Sequence, residues 1–134
     1  MARILVIDDD TAVVSAVRLV LERSGHDVVS AHNGPSGLQF LTAEHFDLVL
    51  VDIFMPEMDG FETIRLFRKT SPGIRIVVMS GGSKQTAAEP DYLLMATKLG
   101  AMEALRKPFR PNALIDAVNR CLERPAAGVR PNGG

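Results

Sequence analysis

The 134-residue chain is 46% hydrophobic and carries 15 basic against 16 acidic side chains, for a net charge of −1. This length fits one domain with a single continuous core, and the apolar share excludes disorder of the whole chain. The near-neutral balance gives no electrostatic basis for binding nucleic acid or an anionic membrane, and the lone Cys121 cannot form a disulfide or a cysteine metal site within one chain.

Taken in chain order, two periods alternate. "RILVI" (3–7) is a continuous apolar run ending in Asp8, the pattern of a strand buried on both faces. Val13, Val14, Val17, Val20 and Leu21 then recur at helical spacing until Gly25. Asp10 fits the N-terminus of that helix, where a carboxylate favours the dipole. "HDVVSA" (26–31) reads as a short strand, Leu38 and Leu41 as a helix, and "DLVLV" (47–51) as a third strand that runs into Asp52. Phe61, Ile64 and Phe67 or Arg68 mark a third helix, followed by the strand "IRIVVM" (74–79) and Ser80. A fourth helix is expected from Pro90 to Gly100. "AMEALR" (101–106) is the fifth strand, ending at Lys107 and Pro108, and Leu114, Ile115, Val118 and Leu122 give the last helix. The Pro- and Gly-rich residues 124–134 lack apolar periodicity and read as a disordered tail or a shortened linker after a domain of residues 1–123. No apolar run approaches the length of a membrane span, and the N-terminus enters a strand without the layout of a signal peptide, so a cytoplasmic location is expected.

Five strands alternating with five helices predict an α/β fold, a doubly wound five-stranded parallel sheet with helices on both faces. In such a sheet the ligand site lies at the carboxyl ends of the strands. Asp8, Asp9 and Asp10, then Asp52, Ser80 and Lys107, all fall at strand ends and therefore on one edge. Carboxylates about 4 Å apart repel by roughly 4 kcal/mol at an effective dielectric near 20. Oxygen ligands at that density suit a hard divalent cation such as Mg²⁺. Lys107 and Ser80 lie outside that explanation, and a lysine and a hydroxyl beside a metal point to an incoming phosphoryl group. Each residue alone has an ordinary structural reading, as a cap, a strand end or a solvated charge. Four of them on one edge do not arise readily from those readings. His26, His32 and His45 are scattered and read as surface or strand-edge residues.

"ILVIDDD", "DLVLVDIFMPEMDG", "IVVMSGG" and "RKPF", in this order and spacing, resemble the receiver domain of two-component response regulators. The resemblance covers residues 2 to 123 and implies a flavodoxin-like, receiver-type fold. It implies Asp52 as phosphoacceptor and Asp9 as a direct Mg²⁺ ligand, with the Phe54 backbone carbonyl completing the protein ligands and Asp8 acting through water. Ser80 stands at the family's hydroxyl position, Lys107 at its phosphate-binding lysine, and the Lys107–Pro108 bond is expected to be cis. Asp52 would take its phosphoryl group from a sensor histidine kinase or a histidine phosphotransfer protein. The output would be an unidentified protein docking on the fourth helix, fifth strand and fifth helix. In "MPEMDG", Pro56 would stiffen the turn, Asp59 would cap the next helix and Gly60 would permit the tight exit.

Three departures from the family pattern stand out. Ala104 occupies the place of the usual switch aromatic. Ser80 and Lys107 stand 27 positions apart, a longer spacing than is common. Phe54 and Gly82 replace polar side chains that often set phosphoryl lifetime, which predicts slow loss of the phosphoryl group. Other readings are a receiver cut from a larger regulator or hybrid kinase, a receiver used only for binding, and an aspartate-nucleophile phosphatase. The phosphatase needs a second acid where Phe54 stands.

Overall fold

A computed structural model of the chain describes residues 1–55, 58–81, 94 and 97–124. The strands β1 (Arg3–Ile7), β2 (Asp27–Ala31) and β3 (Leu48–Asp52) lie where the apolar runs place them. Two-residue strands β4 (Phe54–Met55) and β5 (Met58–Asp59) follow, pairing antiparallel, and then β6 (Arg75–Gly81) and β7 (Glu103–Lys107). The helices are α1 (Thr11–Arg23), α2 (Gly34–Ala43), α3 (Gly60–Thr70) and α4 (Pro111–Glu123). The main sheet is parallel, in the order β2-β1-β3-β6-β7.

The expected turn after β3 thus carries a small hairpin. The Asp59 side chain, the expected cap, is not among those described, and Pro56 lies outside the described residues. Four of the five expected helices are described. Of the expected fourth, Leu94, Thr97 and Lys98 are helical, and a turn at 99–100 ends at Gly100 with φ +108°. The rest of it lies outside the described residues, as do positions 125–134. Arg124, first residue of the expected tail, donates from its guanidinium to the Met102 carbonyl at 2.9 Å.

Local chemistry explains the helix starts. The Asp10 side chain accepts from the Ala12 and Val13 amides, as expected of an N-cap, and Asn33 accepts from Ser36 with Pro35 in the first turn of α2. The sheet divides the core into two layers. Ile7, Val49, Val51, Ile64, Phe67 and Val78 belong to the layer under α2 and α3. Ile4, Val6, Leu50, Val77, Met79, Leu105 and Leu114 belong to the layer under α1 and α4. The central strands are therefore apolar on both faces through Ile4–Ile7, Leu48–Val51 and Ile76–Met79, as a sheet covered on both faces requires, and turn polar only at their ends. Gly37 lets α2 approach β1, since a Cβ there would stand 2.4 Å from Ile7 Cδ1.

Candidate functional site

The parallel register aligns the carboxyl ends of β1, β3, β6 and β7. Asp8 follows β1 and is fully buried; Asp52 ends β3 and is 4% exposed. Ser80, in β6, is fully buried and pairs in register with Arg106, one residue before Lys107. Asp9 is exposed above them, and ligand oxygens of Asp8, Asp9 and Asp52 all lie within 4.8 Å of one another.

Lys107 Nζ donates to Asp8 Oδ2 at 2.7 Å and to Asp52 Oδ2 at 3.0 Å, while the Asp10 amide donates to Asp8 Oδ1 at 3.0 Å. Burial pushes the Asp8 carboxyl up to about 6, against the hydrogen bonds from Lys107 and the Asp10 amide. Burial acts downward on the Lys107 ammonium, but the Asp8 hydrogen bond and the Asp52 charge outweigh it and raise the pKa. Three carboxylates against one ammonium leave the edge net negative, and an all-oxygen donor set of this kind fits a hard divalent cation. The Lys107–Pro108 peptide is cis, as expected. Beside Lys107 an apolar cleft of about 370 Å³ opens between α1 and the residues after β7, lined by Val13, Ala16, Val17, Pro108 and Phe109 among others. The sequence reading missed this cleft, because its walls come from segments about ninety positions apart.

The structure thus brings together Asp8, Asp9, Asp52 and Lys107, and places buried Ser80 on the neighbouring strand. Phe54 lies in β4, two residues beyond Asp52, with its side chain not among those described, and Gly82 lies outside the described residues.

The family model of the response regulator receiver domain matches residues 4–119. The chain belongs to that family. The receiver is 34% identical over 125 residues to the transcriptional regulatory protein GlrR of Escherichia coli K12, covering 93% of this chain and 27% of that protein. It is 33% identical over 127 residues to a CpxR homologue of Haemophilus influenzae, covering 95% of this chain and 53% of the other. The receiver therefore spans from about a quarter to about half of the length of these curated relatives. Among solved structures, a CheY-like receiver domain protein from Methanospirillum hungatei superposes with a TM-score of 0.82 at 29% identity, covering 92% of this chain and 94% of that one. CheY4 of Vibrio cholerae gives 0.80 at 28% identity, covering 90% of this chain and 98% of the other. Among the described residues, no helix of the receiver is long and apolar enough to cross a membrane.

Proposed function

We propose that the receiver accepts a phosphoryl group on Asp52 from the phosphohistidine of a partner kinase or phosphotransfer protein, and signals by a change in protein contacts. The observation that carries this reading is the Lys107 ammonium shared between Asp8 and Asp52. A lysine so placed holds the acceptor oxygen at a defined point and meets the charge that a phosphoryl group brings. In the transfer, an Asp52 oxygen forms a bond to phosphorus as the phosphorus–nitrogen bond breaks. The electron pair leaves with the imidazole ring, which departs neutral when its other nitrogen already carries a proton and otherwise takes a proton from water. Lys107 balances the charge of the new acyl phosphate, and the Ser80 hydroxyl donates to one of its oxygens.

Asp9, Asp52 and the Phe54 carbonyl would hold Mg²⁺, with Asp8 acting through water. Bound there, the ion supplies neutralisation of the carboxylates and of the phosphoryl oxygens. The cleft beside Lys107 gives the donor protein an apolar footing within reach of the acceptor. The output surface would combine Leu94, which is 55% exposed, with the exposed Ala104. Leu94→Asp is expected to weaken the output partner while leaving phosphorylation intact, which a pull-down with beryllofluoride-treated protein measures.

Incubation with acetyl phosphate and Mg²⁺, followed by intact-mass measurement, tests the chemistry. One phosphoryl group is expected on the wild type, none on Asp52→Asn, and a deficit on Asp9→Ala that high Mg²⁺ reduces. Undiminished phosphorylation of Asp52→Asn refutes the acceptor assignment. A second reading, that the chain is the receiver portion of a longer regulator, is favoured by its 27% and 53% coverage of two-component relatives. The length of the full reading frame decides between them.

A further inference from the structure

At the end of β7 away from the acidic site, Glu103 gathers two arginines. Arg120 of α4 donates to Glu103 Oε1 from Nε at 3.1 Å and from a terminal nitrogen at 2.9 Å, and Arg124 donates to Glu103 Oε2 at 2.6 Å. The Arg124 guanidinium also reaches the Met102 carbonyl at 2.9 Å. The Arg124 carbonyl in turn accepts from Arg75, at the start of β6, at 3.3 and 2.9 Å. Residue 124 is thereby fastened by side chain and backbone alike to two strands distant in sequence. These groups surround the one cysteine of the chain, Cys121, which is fully buried on α4.

Among the described residues, β7 is an edge strand, hydrogen-bonded in the sheet to β6 alone. Side chains on a strand alternate between faces, so Glu103, Leu105 and Lys107 share one face while Ala104 and Arg106, both exposed, share the other. Leu105 packs in the same core layer as Leu114, Ala117, Val118 and Cys121 of α4. A single face of one short strand thus carries the site lysine, a core leucine and the carboxylate that holds residue 124. The two ends of this face lie about 13 Å apart at the usual rise of a strand.

We infer that this face of β7 is a transmission element: occupancy of the acidic site draws Lys107 and its strand toward the bound group, and so loosens the hold of Glu103 on Arg120 and Arg124. The inference rests on the phosphoacceptor reading above. Its consequence is that the way the chain leaves the domain at Arg124 depends on the state of Asp52. Linkage makes such coupling reciprocal, so releasing the hold at Glu103 must strengthen binding at the site by the factor by which binding loosens the hold.

Cys121 serves as the reporter, because a thiol reagent reaches it only when the end of α4 lifts. In the wild-type chain, Mg²⁺ with beryllofluoride is expected to speed labelling about threefold. Glu103→Gln is expected to speed labelling without the ligand, to abolish the further effect of the ligand, and to tighten beryllofluoride binding about threefold by calorimetry. Arg124→Gln provides the electrostatic control. Glu103 raises and Arg124 lowers the thiol pKa, so an effect through the thiolate charge alone speeds labelling in Glu103→Gln and slows it in Arg124→Gln. Loss of the fastening speeds both. Acetyl phosphate treatment of the same samples keeps the two readings separable by mass. Phosphorylated Asp52 with an unchanged labelling rate overturns the transmission and leaves the phosphoacceptor standing, whereas an absent phosphoryl group overturns the phosphoacceptor reading itself.

Discussion

Burial raises the Asp8 carboxyl to about 6 from its ordinary 3.8, despite hydrogen bonds from Lys107 and the Asp10 amide that favour its charge. Between those values the folded chain keeps a proton that the unfolded chain releases. Stability therefore declines as pH rises through this interval, and the full cost persists above it. A shift of this size corresponds to about 3 kcal/mol. Asp8→Asn is expected to stabilise the metal-free domain by about 1–3 kcal/mol at pH 8, with the gain vanishing near pH 4. Urea titrations in the absence of divalent ions at the two pH values measure it, and an unchanged stability at pH 8 refutes the assignment. Removing the opposite partner has the opposite sign. Lys107→Met leaves two buried carboxylates uncompensated, for an expected loss of about 3–5 kcal/mol. Added Mg²⁺ is expected to restore part of it in a thermal melt. Asp8 and Asp52 were legible in the sequence because each is a polar interruption at the end of an apolar run, whereas Lys107, which follows Arg106, was placed by the alternation of strands and helices and by the resemblance of "RKPF". Arg124 was not legible. Its partners, Glu103, Met102 and Arg75, are set by where α4 ends against the sheet, and no local pattern encodes that.

At the scale of elements, helical spacing left open whether Phe67 or Arg68 completes the inner face of α3. Phe67 is fully buried in the core, and Arg68 takes a different task. Its guanidinium donates to the carbonyls of Pro72, Ile74 and Gly100, and burial lowers its pKa. The cation thus lies among carbonyls at the end of α3 and at the turn that closes the helical residues 97–98. Helix C-termini carry partial negative charge that suits a guanidinium. Gly100 is shaped to this contact: its φ is +108°, and a Cβ there would stand 2.7 Å from Arg68 Nε. Gly100→Ala is expected to cost about 1–3 kcal/mol, from left-handed backbone strain and displacement of the arginine together. Chemical denaturation measures it, and a loss below about 0.5 kcal/mol would show that the turn relaxes freely. The fifth strand was legible despite its helix-favouring residues because it had to supply an element between Gly100 and Pro111. The hairpin of β4 and β5 was not, since two-residue strands carry no period.

For the molecule as a whole, the two ends of the sheet oppose one another in their response to acid. At the end opposite Asp8, the Ala2 amide donates to His26 Nδ1 at 3.0 Å, and burial followed by the N-terminal ammonium lowers the His26 pKa. The unfolded chain therefore takes up this proton first. The contribution of His26 is complete above the ordinary histidine value of 6.5 and is lost as pH falls from there through the lowered value. His26→Gln is expected to flatten the stability profile below pH 6.5 without altering the decline that Asp8 imposes, as a pH series of urea midpoints would reveal. A profile that keeps its slope below pH 6.5 places the acid sensitivity in another group. The division of the core by the sheet has a consequence for mutational arithmetic. Ile64 and Val118 are both fully buried, but they belong to separate layers with the strands between them. A void opened on one side cannot be filled by side chains from the other. Ile64→Val and Val118→Ala should accordingly sum in the double variant to within about 0.5 kcal/mol, whereas pairs within one layer should depart from the sum by more. The sheet in this protein is then a partition for packing defects, so that each face can vary in sequence with little regard to the other.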